Sequence, residues 1–361
     1  MIDINEIGAT AFVIASIRAL EPEKPRPLFN DPYAPWFSND RARTAARQLE
    51  AVFPPSTTMV RFRTRFFNRF VERGIVDGAR QVVLLGGGFD MRAHFYRGTG
   101  ATFYEVDQKA VLEFKRHILS DNGIEQPPSL FANYLEEDVP GGLVDLGFDP
   151  AAPTLVVWEG NTMYLPPTSI MPFLNRLGDA MPSLRIAFDY FSVDLQRREF
   201  DNEEDRRRLE GVERAMNASF PTGFPDLTVF EKQAPFEVAE SGTFAELAEE
   251  YGLGEMVAEY PEDWRPKPSN STATAYWNER EPPHPFRCGT TAAATRRASS
   301  PANHAFRIDR LISTPKPRSP SSGKRRMELR SRSRNFATSS GVTGPSSRAS
   351  PPTRTLAIGR R

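Results

Sequence analysis

Gln81-Val82-Val83-Leu84-Leu85 runs straight into Gly86-Gly87-Gly88, and no other segment restricts the fold of this chain as tightly. An unbroken apolar run has no polar face to offer water. Stopped by glycine, it predicts a strand covered on both sides, as parallel sheets require. The same grammar recurs downstream: 102–106 ends at Asp107, 154–158 ends at Glu159-Gly160, and 184–188 ends at Asp189. A helical pattern over about 108–120, closed by Asn122-Gly123, separates two of these runs. Strands alternating with helices imply a parallel sheet with right-handed crossovers, a Rossmann-like α/β class.

The flanks read differently. Ile7, Phe12, Ile14, Ile17 and Leu20 fall near helical spacing and predict an amphipathic helix over 7–20. Further helices are expected at about 39–52 and at 57–74, the latter ending at Gly74. Residues 194–217 form a charged helical excursion, 244–251 a helix, and 255–260 a late strand. Beyond about residue 263 the periodicity dissolves into Ser, Pro, Thr and Arg. Such a stretch buries too little surface to offset its ordering entropy and is expected to be disordered. Three regions follow: a helical cap at 1–60, a nucleotide-binding Rossmann-like domain at 61–263, and a tail at 264–361.

Charge sharpens that division. The chain has 46 Lys+Arg and 46 Asp+Glu, yet residues 284–361 hold 17 of the basic residues and only Asp309 and Glu328 of the acidic ones. An acidic body therefore carries a basic tail, which can contact nucleic acid or acidic membrane. Cys288 is the only cysteine, which excludes an intrachain disulfide and a cysteine-based zinc site. His94, His117, His284 and His304 are too scattered to suggest a metal centre, so no metal is expected. The start is acidic where a secretory leader would be basic. The apolar stretch 9–20 is broken by Ser16 and Arg18 and is too short to span a bilayer. No transmembrane segment and a cytoplasmic location are the expectation.

The chemistry concentrates around the glycines. Glycine lets backbone approach a ligand without side-chain obstruction. Asp107, 21 positions after Gly86, stands where a Rossmann acid hydrogen-bonds ribose hydroxyls. That pattern fits any nucleoside cofactor, NAD included; the plain alternative is a tight buried turn with no ligand. A dinucleotide fingerprint wants a third small residue at position 91, where this chain has Met91. Asp90 would also repel a diphosphate. S-adenosylmethionine has no pyrophosphate to cradle and tolerates both.

Here the sequence resembles the leucine carboxyl methyltransferase superfamily, in particular its actinobacterial group of S-adenosylmethionine-dependent proteins. The resemblance runs from Gly8-Ala9-Thr10-Ala11 through Arg18-Ala19-Leu20-Glu21 and Leu28-Phe29-Asn30-Asp31-Pro32-Tyr33-Ala34 to Arg63-Thr64-Arg65-Phe66-Phe67. It continues at Leu84-Leu85-Gly86-Gly87-Gly88-Phe89-Asp90-Met91-Arg92, at Tyr104-Glu105-Val106-Asp107-Gln108, and at Trp158-Glu159-Gly160-Asn161-Thr162-Met163-Tyr164-Leu165. What it implies is S-adenosylmethionine as cofactor. Arg63, assisted by Arg18, would hold the methionine carboxylate. Gly86 and Gly88 would form the cofactor loop, Asp107 would hold the ribose, and Asp138 would lie near the adenine. Glu159 would stand beside the methyl group and the substrate. The sequence departs from the family at Met91, where Thr is usual, and in a C-terminal region without a clear final strand. That region reads either as a reading-frame change or as a lineage-specific tail.

The acceptor is less legible. Methyl transfer from a sulfonium is an in-line displacement that needs alignment above all. A carboxylate acceptor is already ionised and needs no base, whereas a hydroxyl does. Candidates near the strand tips are Tyr164, Asp189 and Tyr190, with His94 further off. Tyr164 is paired with Glu159 as the catalytic expectation, and the aromatic segment 189–191 as a substrate wall. The reading is an O-methyltransferase acting on a carboxylate or hydroxyl of a small metabolite. Two alternatives stay open: a non-catalytic nucleotide-binding protein with a basic tail, and an NAD-dependent oxidoreductase, which should show the third small residue and a Tyr/Lys or His catalytic pair.

Overall fold

The computed structural model describes residues 9–199, 203–216, 218–234, 236–260 and 273–279. In chain order, α1 (Ala9–Ala19), α2 (Asp40–Val52) and α3 (Pro54–Val76) precede β1 (Gln81–Leu85). Then come α4 (Arg92–Phe95), β2 (Thr102–Asp107), α5 (Lys109–Asp121), β3 (Ser129–Phe131), α6 (Val139–Val144), β4 (Thr154–Trp158), α7 (Pro167–Ala180) and β5 (Leu184–Tyr190). The rest is α8 (Val193–Arg197), α9 (Glu203–Met216), α10 (Thr228–Gln233), β6 (Phe236–Thr243), α11 (Phe244–Glu250), α12 (Gly254–Ala258) and β7 (Ala273–Glu279).

The apolar runs form the centre of one sheet, ordered β3-β2-β1-β4-β5-β7-β6. Its first five strands are parallel and β7 and β6 are antiparallel. Every residue of β1 and β4 is buried, because both faces are covered. Period-two alternation divides their side chains. Val83, Leu85, Val156 and Trp158 pack with Phe173, Leu174 and Leu177 of α7. Val82, Leu84, Leu155 and Val157 pack with Phe67, Phe70 and Val71 of α3. The strand order reverses between β1 and β4, so the ends of these two strands flank the crevice where doubly wound sheets bind ligands.

Four sequence expectations need correction. Helix α3 runs through Gly74 to Val76 instead of stopping there. A Cβ on Gly74 would lie 2.4 Å from Leu155 Cδ1, so the glycine serves close packing of α3 on β4. Residues 254–258, expected as part of a strand, form α12, whose Met256 and Val257 pack beside Phe62 and Phe66. The sheet has its closing antiparallel strands, β6 and β7, and β7 lies inside the stretch expected to lack order. Partnered on both sides by backbone hydrogen bonds, β7 draws its order from the ladder, which composition does not reveal. The short β3, with partly exposed side chains, gives no apolar run and escapes notice.

The excursion after β5 is helical as expected. Val212 and Ala218 rest against Val13, Ile17, Ala46 and Leu49, so α9 packs on α1 and α2 beside the C-terminal ends of the strands. Among the described residues no helix is long and apolar enough to cross a membrane, and no group of three or more His, Cys, Asp and Glu is placed to hold a metal ion. The expected basic tail, with Cys288, His284 and His304, lies outside the described residues.

Candidate functional site

The loop after β1 needs glycine at its two bends. Gly86 (φ 58°) and Gly88 (φ 55°) both occupy the left-handed region, which a side chain disfavours. At Gly86 a Cβ would also meet Asn161 Oδ1 at 2.5 Å. That asparagine joins the two strand ends. Its Nδ2 donates to Gly86 O at 3.1 Å and Glu159 O at 2.8 Å, and its Oδ1 accepts from Tyr134 Oη at 3.2 Å. Other elements pin the loop as well. Arg18 Nη2, from α1, donates to Phe89 O at 2.6 Å, and Lys115 Nζ, from α5, donates to Asp90 O. Asp107 Oδ2 accepts from Gly88 N at 2.8 Å and Asp107 Oδ1 from Gln108 N at 2.7 Å. Burial raises the Asp107 carboxyl above its usual range, and those two amides only partly oppose it.

Beneath the loop runs a chain of buried charges. Asp90 Oδ2 pairs with Arg92 Nη1 at 2.5 Å, and Arg92 Nη2 lies 2.7 Å from Glu159 Oε2. Glu159 Oε1 faces Arg63 Nε at 3.3 Å, and Arg63 Nη1 meets Asp189 Oδ2 at 3.3 Å. Asp189, fully buried, also accepts from Gly160 N at 2.6 Å. Burial opposes each charge, and the neighbours decide the outcome. At Asp90, Arg92 and Arg18 overcome burial and hold the carboxyl low. At Arg63, Asp189 and Glu159 overcome it and keep the guanidinium charged. At Asp189 burial prevails over Arg63, and the carboxyl is raised. Fully ionised, the chain has three carboxylates to two guanidiniums, with the Arg18–Asp31 pair (3.1 Å) beside it.

Of the cavities that open here, two border the loop glycines. One is lined by Ile14, Arg18, Arg63, Gly87, Asp90, Val157 and Glu159. The other, smaller one is bordered by Gly87, Gly88, Asp90, Asp107 and Lys115 among others. The shared Gly87 and Asp90 make them neighbours across the loop. Arg18 Nε and Arg63 Nε are buried without a hydrogen-bond partner, although each lies within ion-pair distance of a carboxylate. The site therefore joins cations, anions and unobstructed backbone beside an acid at the tip of β2.

The structure thus brings Arg18, Arg63, Gly86, Gly88, Asp107 and Glu159 to one end of the sheet. Asp138 is elsewhere in character: it is exposed and caps α6, its Oδ1 accepting from Gly141 N at 3.1 Å. Tyr164 is half-buried, its ring 5.5 Å from Phe220 and its phenol raised by burial between Arg63 and Asp189. Tyr190 packs on Phe224 and Phe230 in the core, so of the expected aromatic wall only Phe191 joins the cluster of Met163, Tyr164 and Phe220. His94 Nε2 contacts Glu125 O at 3.1 Å and lines neither cavity. Met91 is buried with Phe12, Phe89 and Val111. Sequence reasoning gave no role to Arg92, Asn161 and Lys115. Arg92 and Asn161 lie within the quoted motifs, and that proximity was the only signal; Lys115 had none beyond its place in an amphipathic helix.

A family profile described as leucine carboxyl methyltransferase matches residues 11–178. A protein of Rhodococcus jostii with the provisional name S-adenosyl-L-methionine-dependent methyltransferase is 35% identical over 210 residues, covering 55% of this chain and 70% of its own. A protein of Mycolicibacterium paratuberculosis with the same provisional name is 40% identical over 176 residues, covering 45% of this chain and 58% of its own. The chain thus spans less than two thirds of the length of that mycobacterial relative. A crystal structure of a protein from Thermobifida fusca, provisionally named a methyltransferase, superposes with a TM-score of 0.47 at 14% identity, covering 75% of this chain and 94% of that one.

Proposed function

The chain belongs to the leucine carboxyl methyltransferase family, and from that premise we propose that it binds S-adenosylmethionine and transfers its methyl group to an oxygen of a small metabolite. One observation carries this reading: a single cavity is lined by both Arg18 and Arg63 and both Asp90 and Glu159, next to the cavity that holds Asp107. A zwitterionic amino-acid end joined to a nucleoside asks for that combination, guanidinium for its carboxylate and carboxylate for its ammonium. A dinucleotide would instead set its diphosphate against Asp90, which supports the methyltransferase over an NAD-dependent oxidoreductase.

When bound, the cofactor supplies an electrophilic methyl group on a sulfonium. The protein's part is to bind and align. Arg63, with Arg18, holds the carboxylate; Gly86 and Gly88 admit the ligand to the backbone; Asp107 accepts from the ribose hydroxyls. Asp138 borders the adenine, and Glu159 stands at the methyl end. Tyr164, with Met163, Phe191 and Phe220, walls the acceptor. A phenol whose proton burial holds tightly is a poor base at neutral pH. Asp189 is consumed by Gly160 and Arg63. With those two bases withheld, an acceptor already ionised, a carboxylate, fits better than a neutral hydroxyl.

Calorimetric titration with S-adenosylhomocysteine, with NADH as the control, tests the reading. Micromolar binding of the first, lost in Asp107→Ala, is the expected result. Preferential binding of NADH, or binding indifferent to the Asp107 change, would overturn it. A screen of carboxylic acids and phenols for methyl transfer then separates the two acceptor classes.

A further inference from the structure

We propose that Arg92 is the positioning residue of this site: it acts through Glu159, fixing that carboxylate and the glycine loop in a single geometry. The inference rests on the cofactor reading above and adds to it a residue that the binding set lacks. Arg92 opens α4 immediately after the loop and is almost wholly buried. Each arm of its guanidinium holds a different element. Nη1 takes Asp90 Oδ2 of the loop at 2.5 Å, Nε takes Asn68 Oδ1 of α3 at 2.8 Å, and Nη2 lies 2.7 Å from Glu159 Oε2 after β4. Its face rests on the Phe67 ring, 5.8 Å from the centroid. Two hydrogen bonds, a close ion pair and a stack suit a planar fork and cannot be reproduced by lysine.

The consequence for Glu159 is orientation. One carboxylate oxygen is committed to Arg92, and the other faces Arg63 Nε and Thr64 Oγ1, each at 3.3 Å. Arg92 lines neither the cavity bordered by Glu159 and Asp90 nor the one bordered by Asp107; it borders a third, with Asp90, Thr64 and Asn68. It is thus placed to set the separation of Glu159 and Asp90 from outside the cavity they share. Without it, Glu159 would keep only the longer contacts to Arg63 and Thr64, and the loop acid would lose its closest cation.

A double-mutant cycle tests this in the full-length chain. Arg92→Gln, Glu159→Gln and the double variant are titrated with S-adenosylhomocysteine, with Arg92→Lys and the Arg92→Gln/Asp107→Asn pair as comparisons. Acting through Glu159, Arg92→Gln lowers affinity at least tenfold in the wild-type background and less than threefold when Glu159 is already Gln. Its effect adds to that of Asp107→Asn, and lysine fails to rescue. Additivity with Glu159, or full rescue by lysine, overturns the proposal and leaves the cofactor reading intact. If the wild-type protein binds no S-adenosylhomocysteine, the cofactor reading fails and the same cycle is read in urea unfolding. Stability recovered by Glu159→Gln in the Arg92→Gln background sustains the coupling, and no recovery overturns it.

Discussion

Two arginines on one helix, two residues apart and almost equally buried, have different surroundings. Arg61 makes a bidentate pair with Glu21, Nε to Oε2 at 2.6 Å and Nη2 to Oε1 at 3.1 Å. Further bonds tie the pair in, since Glu21 Oε1 accepts from Leu28 N at 2.7 Å and Arg61 Nη2 donates to Arg26 O at 2.9 Å. Arg63 sits between Glu159 and Asp189 at 3.3 Å each, with Nε short of a hydrogen bond and a cavity alongside. A guanidinium and a carboxylate joined by two short bonds are committed to each other, so Arg61 serves to hold the segment after α1 on α3. A cation with slack beside free volume can take another anion. Burial and residue type are alike in the two; satisfaction distinguishes them.

The largest effect that would test this contrast is on stability. Arg61→Ala strands a fully buried carboxylate, so unfolding in urea should show a loss of about 3–5 kcal/mol. Partial function at low temperature would leave S-adenosylhomocysteine affinity near wild type. Arg63→Ala also strands a buried carboxylate, Asp189, which keeps only Gly160 N, so affinity is the distinguishing readout: calorimetry should record it lower by at least tenfold, about 1.4 kcal/mol. Equal stability losses with unchanged affinity would erase the distinction.

Asp107 sharpens the comparison through pH. Its carboxyl is raised by burial, so the folded state holds that proton more tightly than the unfolded chain does. The sign follows: ionising Asp107 costs stability, and the cost grows as pH rises from the ordinary carboxylate value of about 4 through the raised one. Asp107→Asn should therefore melt at or above the wild-type temperature at neutral pH, while binding S-adenosylhomocysteine more weakly. A lower melting temperature would mark Asp107 as a structural brace of the loop through Gly88.

The smallest effect concerns Asp138. As the cap of α6 it should cost about 1 kcal/mol when changed to Ala, read by thermal unfolding. A parallel fall in S-adenosylhomocysteine affinity would support the adenine role that the family resemblance implies; stability alone would leave it a cap.

The amino-acid sequence by itself determined the parallel centre of this sheet, because strands buried on both faces must be apolar throughout and glycine must follow where backbone bends tightly. It also placed Gly86, Gly88, Asp107 and Glu159 at strand ends, since those positions follow from chain order and spacing alone. Other features depended on partners distant in sequence. Gly74 reads as a stop until Leu155 is seen against it. Strand β7 is invisible in composition because its order comes from backbone pairing with β5 and β6. Asp138 and Glu159 look alike as acids after short segments, yet one caps a helix in solvent and the other lies between two guanidiniums. Arg92 carries no periodic signal, because its significance is the simultaneous reach to a loop, a helix and a strand end. Local pattern encodes which surface a segment must hide; which charges meet beneath it is a property of three dimensions, where elements far apart in sequence bring their side chains to one point.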